Sequence, residues 1–180
     1  AALTVGMKLV LPGPKMADGE ALTDLMNSEK VTFSSGVPTI WLALLDYLES
    51  NNLTVPSLSR VSVGGAACPR VIIERFRCQH DCSVVQGWGM TETAGLGTIF
   101  YDRQIKVGFV GRAVNGSEVR IAKDGEILFK GPGVFHGYLN KPEQTSETLS
   151  NGWLHTGDVG EIDNYGYLKI TDRKKDIILD

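Results

Sequence analysis

The sequence predicts an α/β protein built in two parts: a parallel βαβ sheet layer over residues 1–97, then a small antiparallel, β-barrel-like region over 98–171. Three observations carry this expectation. Short β-branched runs alternate with amphipathic stretches up to about residue 90, the pattern of crossover units feeding a parallel sheet. Beyond residue 98 the texture changes to short strands punctuated by Gly and Asp/Asn turns, the pattern of an antiparallel sheet or small barrel. Finally, 21 of 180 residues are glycine, about 12% against a usual 7%, and only Gly6, Gly13, Gly19 and Gly36 fall in the first 60.

The elements follow in order. Residues 7–11 read as a strand, leading through Pro12-Gly13-Pro14 to a helix over 20–29 whose Leu22, Leu25 and Met26 share one face. Residues 31–34 form the next strand. Pro38 suits a first helical turn, which tolerates a missing N–H, and Ile40, Leu44, Leu45 and Leu48 stripe a second helix. Residues 60–63 form a third strand; Pro69 opens a helix with Ile72, Ile73 and Phe76 inward, and 82–86 is a fourth strand. In the second part, strands are expected at 118–122, 126–130, 153–155 and 167–171, with one short helix after Pro142.

Composition excludes several classes. With 42% hydrophobic and 22% charged residues and a mean hydropathy of -0.04, the chain is globular rather than disordered, collagenous or membrane-embedded. Eighteen Lys and Arg against 21 Asp and Glu leave a net charge of -3, so no positive field gathers nucleic acid. No transmembrane segment is in view. Three cysteines, Cys68, Cys78 and Cys82, argue against a disulfide framework and for a reducing compartment, intracellular and cytoplasmic. Cys78-Gln79-His80-Asp81-Cys82 lacks a nearby fourth ligand for zinc and reads as a helix end entering a strand. The absent initiator Met and the stop after Ile177-Ile178-Leu179 make both ends read as cut from something longer.

In open parallel sheets, ligands bind beyond the carboxyl ends of the strands. Two glycine-dense loops lie at such ends. The first, Gly64-Gly65-Ala66-Ala67-Cys68-Pro69, runs from a strand to a helix start; it serves equally as a tight turn or as a loop whose backbone approaches a flat ligand. The second, Gly87-Trp88-Gly89-Met90-Thr91-Glu92, brackets an indole with glycines and follows it with a hydroxyl and a carboxylate. A large aromatic can stack, a Thr hydroxyl can donate to a phosphate oxygen, and a Glu supplies the hard oxygen that Mg²⁺ prefers.

This second loop resembles the adenylate-forming, AMP-binding acyl-activating enzymes: acyl-CoA synthetases, aryl-CoA ligases, beetle luciferases and peptide-synthetase adenylation domains. Three further segments match in order: Gly125-Glu126-Ile127-Leu128-Phe129-Lys130-Gly131-Pro132 continuing to Thr145, Gly152-Trp153-Leu154-His155-Thr156-Gly157-Asp158, and Thr171-Asp172-Arg173-Lys174-Lys175-Asp176. The resemblance implies that Gly64, Gly65, Ala66 and Ala67 line an adenine, and that Gly87, Trp88, Gly89 and Met90 border the nucleotide, Trp88 replacing a stacking aromatic more often Tyr. It further implies that Thr91 holds the α-phosphate and Glu92 the magnesium, these two being the catalytic residues. Asp158 accepts from both ribose hydroxyls, as a carboxylate's two oxygens can, and Arg173 adds a ribose contact. Residues 172–180 become a hinge to a small C-terminal domain, with Lys175 at its pivot. His136, His155 and Trp153 take packing or rim roles, and Trp41 is core or acyl-pocket wall.

Within the family, Phe33-Ser34-Ser35-Gly36-Val37-Pro38 is most like synthetases acting on medium- or long-chain fatty acids, with Gly36, Val37, Gly87 and Gly89 bordering the acyl group. The implied reaction joins a fatty acid and ATP into acyl-AMP and pyrophosphate, then passes the acyl group to coenzyme A. The family's Ser/Thr- and Gly-rich phosphate loop ending in Pro-Lys does not occur between Ala1 and Asp180, nor does its lysine-bearing C-terminal domain. The chain therefore reads as an incomplete portion of an acyl-CoA synthetase large domain, expected to lack complete catalysis alone. Two other readings stand beside it: a non-enzymatic nucleotide-binding or interaction module, and an aryl- or amino-acid-activating adenylation domain.

Overall fold

A computed structural model describes residues 6–100 and 105–174, and the chain divides into two compact units, Ala1–Val84 and Val85–Asp180. In the first unit, α1 (Gly19–Ser28) starts where Asp18 accepts the Ala21 N–H at 2.9 Å, satisfying one of the donors a helix start leaves over. Strands β1 (Phe33–Gly36) and β2 (Arg60–Val63) pair in parallel, Phe33 opposite Arg60 and Gly36 opposite Val63. Between them runs α2 (Pro38–Asn51), so the βαβ unit expected from the sequence forms. The helix α3 (Arg70–His80) follows β2, and Asp81 ends it with a left-handed φ of 47°. Helix α2 packs against both α1 and α3, and the core they close holds Trp41, Leu44, Leu45, Leu48, Val61 and Phe76. Trp41 meets Phe76 edge to face at 5.7 Å and donates its indole N–H to Ser62 O at 3.2 Å.

Residues 7–11 form no strand. A strand needs a neighbour for its N–H and C=O groups, and none of the described residues pairs with this segment. It instead lines a largely apolar cavity of about 1310 Å³ together with Leu22, Met26, Phe33 and Trp41.

Strand β3 (Ser83–Trp88) runs two residues past its expected end, because Gly87 and Trp88 pair antiparallel with Ile99 and Thr98 of β4 (Thr98–Ile99), which pairs in turn with β5 (Arg112–Ala113). A second antiparallel sheet is built from β6 (Glu118–Ile121), β7 (Glu126–Lys130), β9 (Trp153–Ile162) and β10 (Leu168–Arg173) in the order β10-β9-β7-β6, with β8 (Leu149–Ser150) on β9. The path is open, with β10 and β6 at its ends, so the second part is a sheet rather than a closed barrel among the described residues. The short helix α4 (Pro142–Thr148) stands where Pro142 predicted it. Val110, Ile127 and Leu168 form a buried cluster with Trp88, Val119 and Ile121 packed against it.

Cys68 and Cys82 are buried and Cys78 is exposed, with no disulfide among them. Burial pushes the Cys68 thiol up to about 12, which suppresses the reactive thiolate. Under native conditions at pH 8 a chromogenic disulfide reagent should modify one thiol per chain rapidly, Cys78, and all three after denaturation. Two fast thiols would contradict this packing.

Candidate active site

Contacts link the four motifs to one another in the second unit: Tyr138 to Glu92, Trp88 to Asp158, Arg173 to Asp158 and Gly157 to Glu126. In the first unit, Gly64 continues the β1–β2 ladder by donating to Gly36 O at 3.2 Å. Gly65 turns away with φ +75°, and a Cβ there would stand 3.2 Å from Val37. The Gly64–Ala67 loop and the Gly36–Val37 corner are thus neighbours, with Gly65, Ala66, Ala67 and Val37 exposed. Gly36 has a packing reason of its own, since Trp41 lies 3.1 Å from where its Cβ would be.

In the second unit, the Trp88–Glu92 segment closes on itself. Gly97 N–H donates to Trp88 O at 2.7 Å and Gly95 N–H to Met90 O at 2.9 Å. A side chain on Gly89 would collide with the Gly95 carbonyl, and one on Gly87 with Leu96. Thr93, buried, donates its hydroxyl to Met90 O and accepts the Met90 N–H, both at 3.0 Å. This fixes the one-turn 3-10 segment Thr91–Thr93 and leaves Thr91 exposed and Glu92 half-buried. Glu92 Oε1 accepts a 2.6 Å hydrogen bond from Tyr138 OH. That bond, ahead of burial, raises the Tyr138 phenol above its ordinary value.

Asp158 is the most constrained of the expected residues. Its side chain sits on β9, only 3% exposed. Oδ2 accepts the Trp88 indole N–H at 3.0 Å, and Oδ1 lies 3.0 Å from Arg173 Nε as an ion pair, without hydrogen-bond alignment to any described group. Two irregularities in the sheet produce this meeting. Leu128 pairs with His155 and Glu126 with Val159, so Thr156, Gly157 and Asp158 all face Ile127. On the other side, Ile170 pairs with Gly160 but Asp172 with Val159, so Thr171 bulges and Arg173 falls opposite Asp158. Without that extra residue Asp172 would stand there, carboxylate against carboxylate, which cross-strand pairing disfavours.

Sequence reasoning missed Tyr138, Glu126 and Gln86. Glu126, 4% exposed, accepts from Gly157 N–H, His155 Nδ1 and Lys174 Nζ, each at 3.0 Å, so His155 is a hydrogen-bond partner of a buried carboxylate. Burial raises the Glu126 carboxyl, but the bonds from His155, Lys174 and Gly157 together outweigh it and hold the group below the usual carboxylate range. Gln86 is fully buried on β3, and neither atom of its amide has a partner among the described residues. A cavity of about 300 Å³ opens beside Glu126 and Tyr138, lined also by Met90, Glu92, His155 and Gly157. The polar atoms buried in the sheet are the signal for Glu126, and it exists only in three dimensions. Trp153 packs under the Arg120 guanidinium at 4.1 Å and His136 is exposed. Lys175 lies outside the described residues.

The chain belongs to the AMP-binding enzyme family, whose model matches residues 1–139. It is 39% identical over 202 residues to a long-chain-fatty-acid–CoA ligase of Thermus thermophilus, covering 99% of this chain and 37% of that protein. It is 36% identical over 200 residues to a medium-chain-fatty-acid–CoA ligase of Ectopseudomonas oleovorans, covering 98% and 36%. Its structure resembles that of O-succinylbenzoate coenzyme A synthetase from Bacillus subtilis in complex with AMP, with a TM-score of 0.83 and 31% identity over 98% of this chain and 38% of that one. The same synthetase in complex with ATP and magnesium ion matches with a TM-score of 0.78 and 31% identity over 90% of this chain and 36% of that one. The chain spans a little over a third of the length of these proteins. No helix among the described residues is long and apolar enough to cross a membrane.

Two outcomes are expected. Trp88→Phe removes the sole hydrogen-bond donor aligned on buried Asp158 among the described residues and should lower the unfolding free energy by about 1–3 kcal/mol; the loss should shrink in an Asp158→Asn background, read by urea denaturation. Because the folded-state Glu126 carboxyl titrates below its unfolded value, its contribution is complete above about pH 4.3 and disappears as pH falls through the depressed value. Stability should therefore decline on acidification, and less steeply in Glu126→Gln; parallel acid profiles would remove Glu126 as a source.

Proposed function

We propose that the chain is the nucleotide-binding part of an ATP-dependent acyl-CoA ligase acting on fatty acids. The observation that carries this reading is Asp158: a buried carboxylate with one oxygen held by an indole and the other, without an aligned donor among the described residues, beside a guanidinium. A ribose diol offers the hydroxyl donors such a carboxylate lacks, and Arg173, paired with Asp158, is assigned a further ribose contact. A buried polar atom without a hydrogen bond is costly, and a ligand that supplies one offsets the cost.

The remaining roles follow. Trp88 offers an aromatic face to the nucleotide, and Gly87, Gly89 and Met90 let backbone come close to it. Gly64, Gly65, Ala66 and Ala67 take the adenine, on the strength of the family resemblance. Thr91, exposed on its fixed turn, donates to the α-phosphate, and Glu92 is the magnesium ligand. Magnesium is commonly held by one or two carboxylates together with substrate phosphates. Bound there, it would neutralise charge building on the phosphorus oxygens; Tyr138, donating to Glu92, keeps that carboxylate oriented.

The reaction is then carboxylate plus ATP giving acyl-AMP and pyrophosphate, followed by attack of the coenzyme A thiol. A fatty-acid substrate is supported by the two named ligase relatives and by the small Gly36–Val37 corner, with Gly87 and Gly89 as further small residues of the acyl border. Residues 1–180 without a Pro-Lys phosphate loop should bind nucleotide but not catalyse acid-dependent pyrophosphate exchange. Exchange by the isolated chain would overturn that part.

In the full-length protein, Asp158→Ala should weaken ATP binding at least about tenfold by calorimetry, the worth of losing hydrogen bonds to a charged group. Unchanged affinity would remove the ribose role. Glu92→Gln should blunt the magnesium dependence of adenylate formation, and a normal magnesium response would take Glu92 out of the site. A panel of fatty, aryl and amino acids in the exchange assay decides the substrate class.

A further inference from the structure

Glu126 takes no direct part in the chemistry proposed above, yet it is a carboxylate buried to 4% exposure. Burying a charge costs free energy unless every lone pair in use is matched by a donor. Here both oxygens are used, and the identity of the donors is informative. Oε1 accepts from the backbone N–H of Gly157, the residue before Asp158; Oε2 accepts from Lys174 Nζ, the residue after Arg173, and from His155 Nδ1. An ionised carboxylate only accepts, so Nδ1 of His155 carries its proton.

The Gly157 bond replaces one that the sheet cannot make. Gly157 lies inside the three-residue mismatch between β7 and β9, with φ +71°, where the regular ladder offers its N–H no backbone partner on β7. A side chain from β7 takes the place of the missing carbonyl. Lys174 lies just past the end of β10, and its ammonium bridges Glu126 at 3.0 Å and Asp124 at 2.8 Å. Arg173 is 57% exposed in its side chain, so little else among the described residues packs it. One buried carboxylate thus grips the segment carrying Asp158 and the segment carrying Arg173, each by the immediate neighbour in sequence.

We infer that Glu126 is a positioning residue for ribose recognition: it holds the β9 bulge and the end of β10 so that the Asp158 carboxylate and the Arg173 guanidinium present themselves together to the 2′,3′-diol. The inference rests on the ribose role proposed for Asp158. It makes Glu126 responsible for selectivity toward the diol, not for nucleotide affinity in general.

The test compares AMP with 2′,3′-dideoxyadenosine monophosphate by calorimetry on the full-length protein. The wild type should prefer AMP by about tenfold or more, as expected for hydrogen bonds to a charged acceptor. Glu126→Gln keeps the size of the side chain and removes its charge; it should reduce the preference several-fold toward that of Asp158→Ala while changing dideoxy affinity less than about twofold. In an Asp158→Ala background the same substitution should have no further effect on the preference, because coupled residues lose their effect together. An undiminished preference in Glu126→Gln overturns the inference, and so does an equal loss for both ligands, which marks a scaffold role only. A wild type that does not distinguish the two ligands overturns the ribose role of Asp158 itself, and with it this inference. Should Glu126→Gln fail to fold, Lys174→Met, which removes one exposed donor, should lower the preference part of the way; a full preference there overturns the inference equally.

Discussion

A carboxylate in the interior of a sheet sets the terms for the second unit. The Asp158 carboxylate is buried there with Trp88 donating to one oxygen and Arg173 paired with the other, and those partners come from residues 70 positions before and 15 after it in the chain. The pairing fixes more than a site. It ties Trp88, which also packs on the Val110–Ile127–Leu168 cluster, to the strand β9 that runs through the middle of the second sheet.

The sheet adapts to that carboxylate through faults in its own regularity. A perfect antiparallel ladder would place Asp172 opposite Asp158 and leave Gly157 bonded within the ladder. The Thr171 bulge changes the first, and the three-against-one mismatch at Ile127 changes the second. Irregular ladders are costly in lost backbone hydrogen bonds, and here the side chains of Glu126 and Thr156 replace part of what is lost: Glu126 accepts the Gly157 N–H, and the Thr156 hydroxyl donates to Ile127 O at 2.7 Å. Bulges beside a pair of functional candidates are the expected place for such compensation, because re-aiming a side chain is what a bulge does.

Much of this molecule was legible from one strand of residues. Leu22 and Met26, Leu44, Leu45 and Leu48, and Ile72 and Phe76 are buried as their helical spacing demands, and Pro38 and Pro142 mark helix starts. The motif residues were legible too, since glycines, an indole, a hydroxyl and carboxylates at fixed spacing carry their chemistry in their identities. Three things were not legible. Residues 7–11 have strand composition but no strand partner among the described residues, and composition does not report a partner. Gly87 and Trp88 look like loop residues until β4 pairs with them. The strand holding Asp158 looks broken at Gly157, which in sequence signals a turn and in the sheet is a bulge.

The sequence by itself determined the helices of the first unit with the strands β1 and β2, the antiparallel character of the second unit and the motifs that mark the family, because helical period, turn chemistry and functional-group chemistry are local properties. Tertiary structure alone decided which of those residues meet. Whether Asp172 or Arg173 stands opposite Asp158 turns on one bulged residue, and whether Glu126 is a surface charge or a buried clamp turns on three donors that arrive from elsewhere in the chain. Register and burial are set by the summed energy of many non-local contacts, and no short stretch of sequence contains that sum.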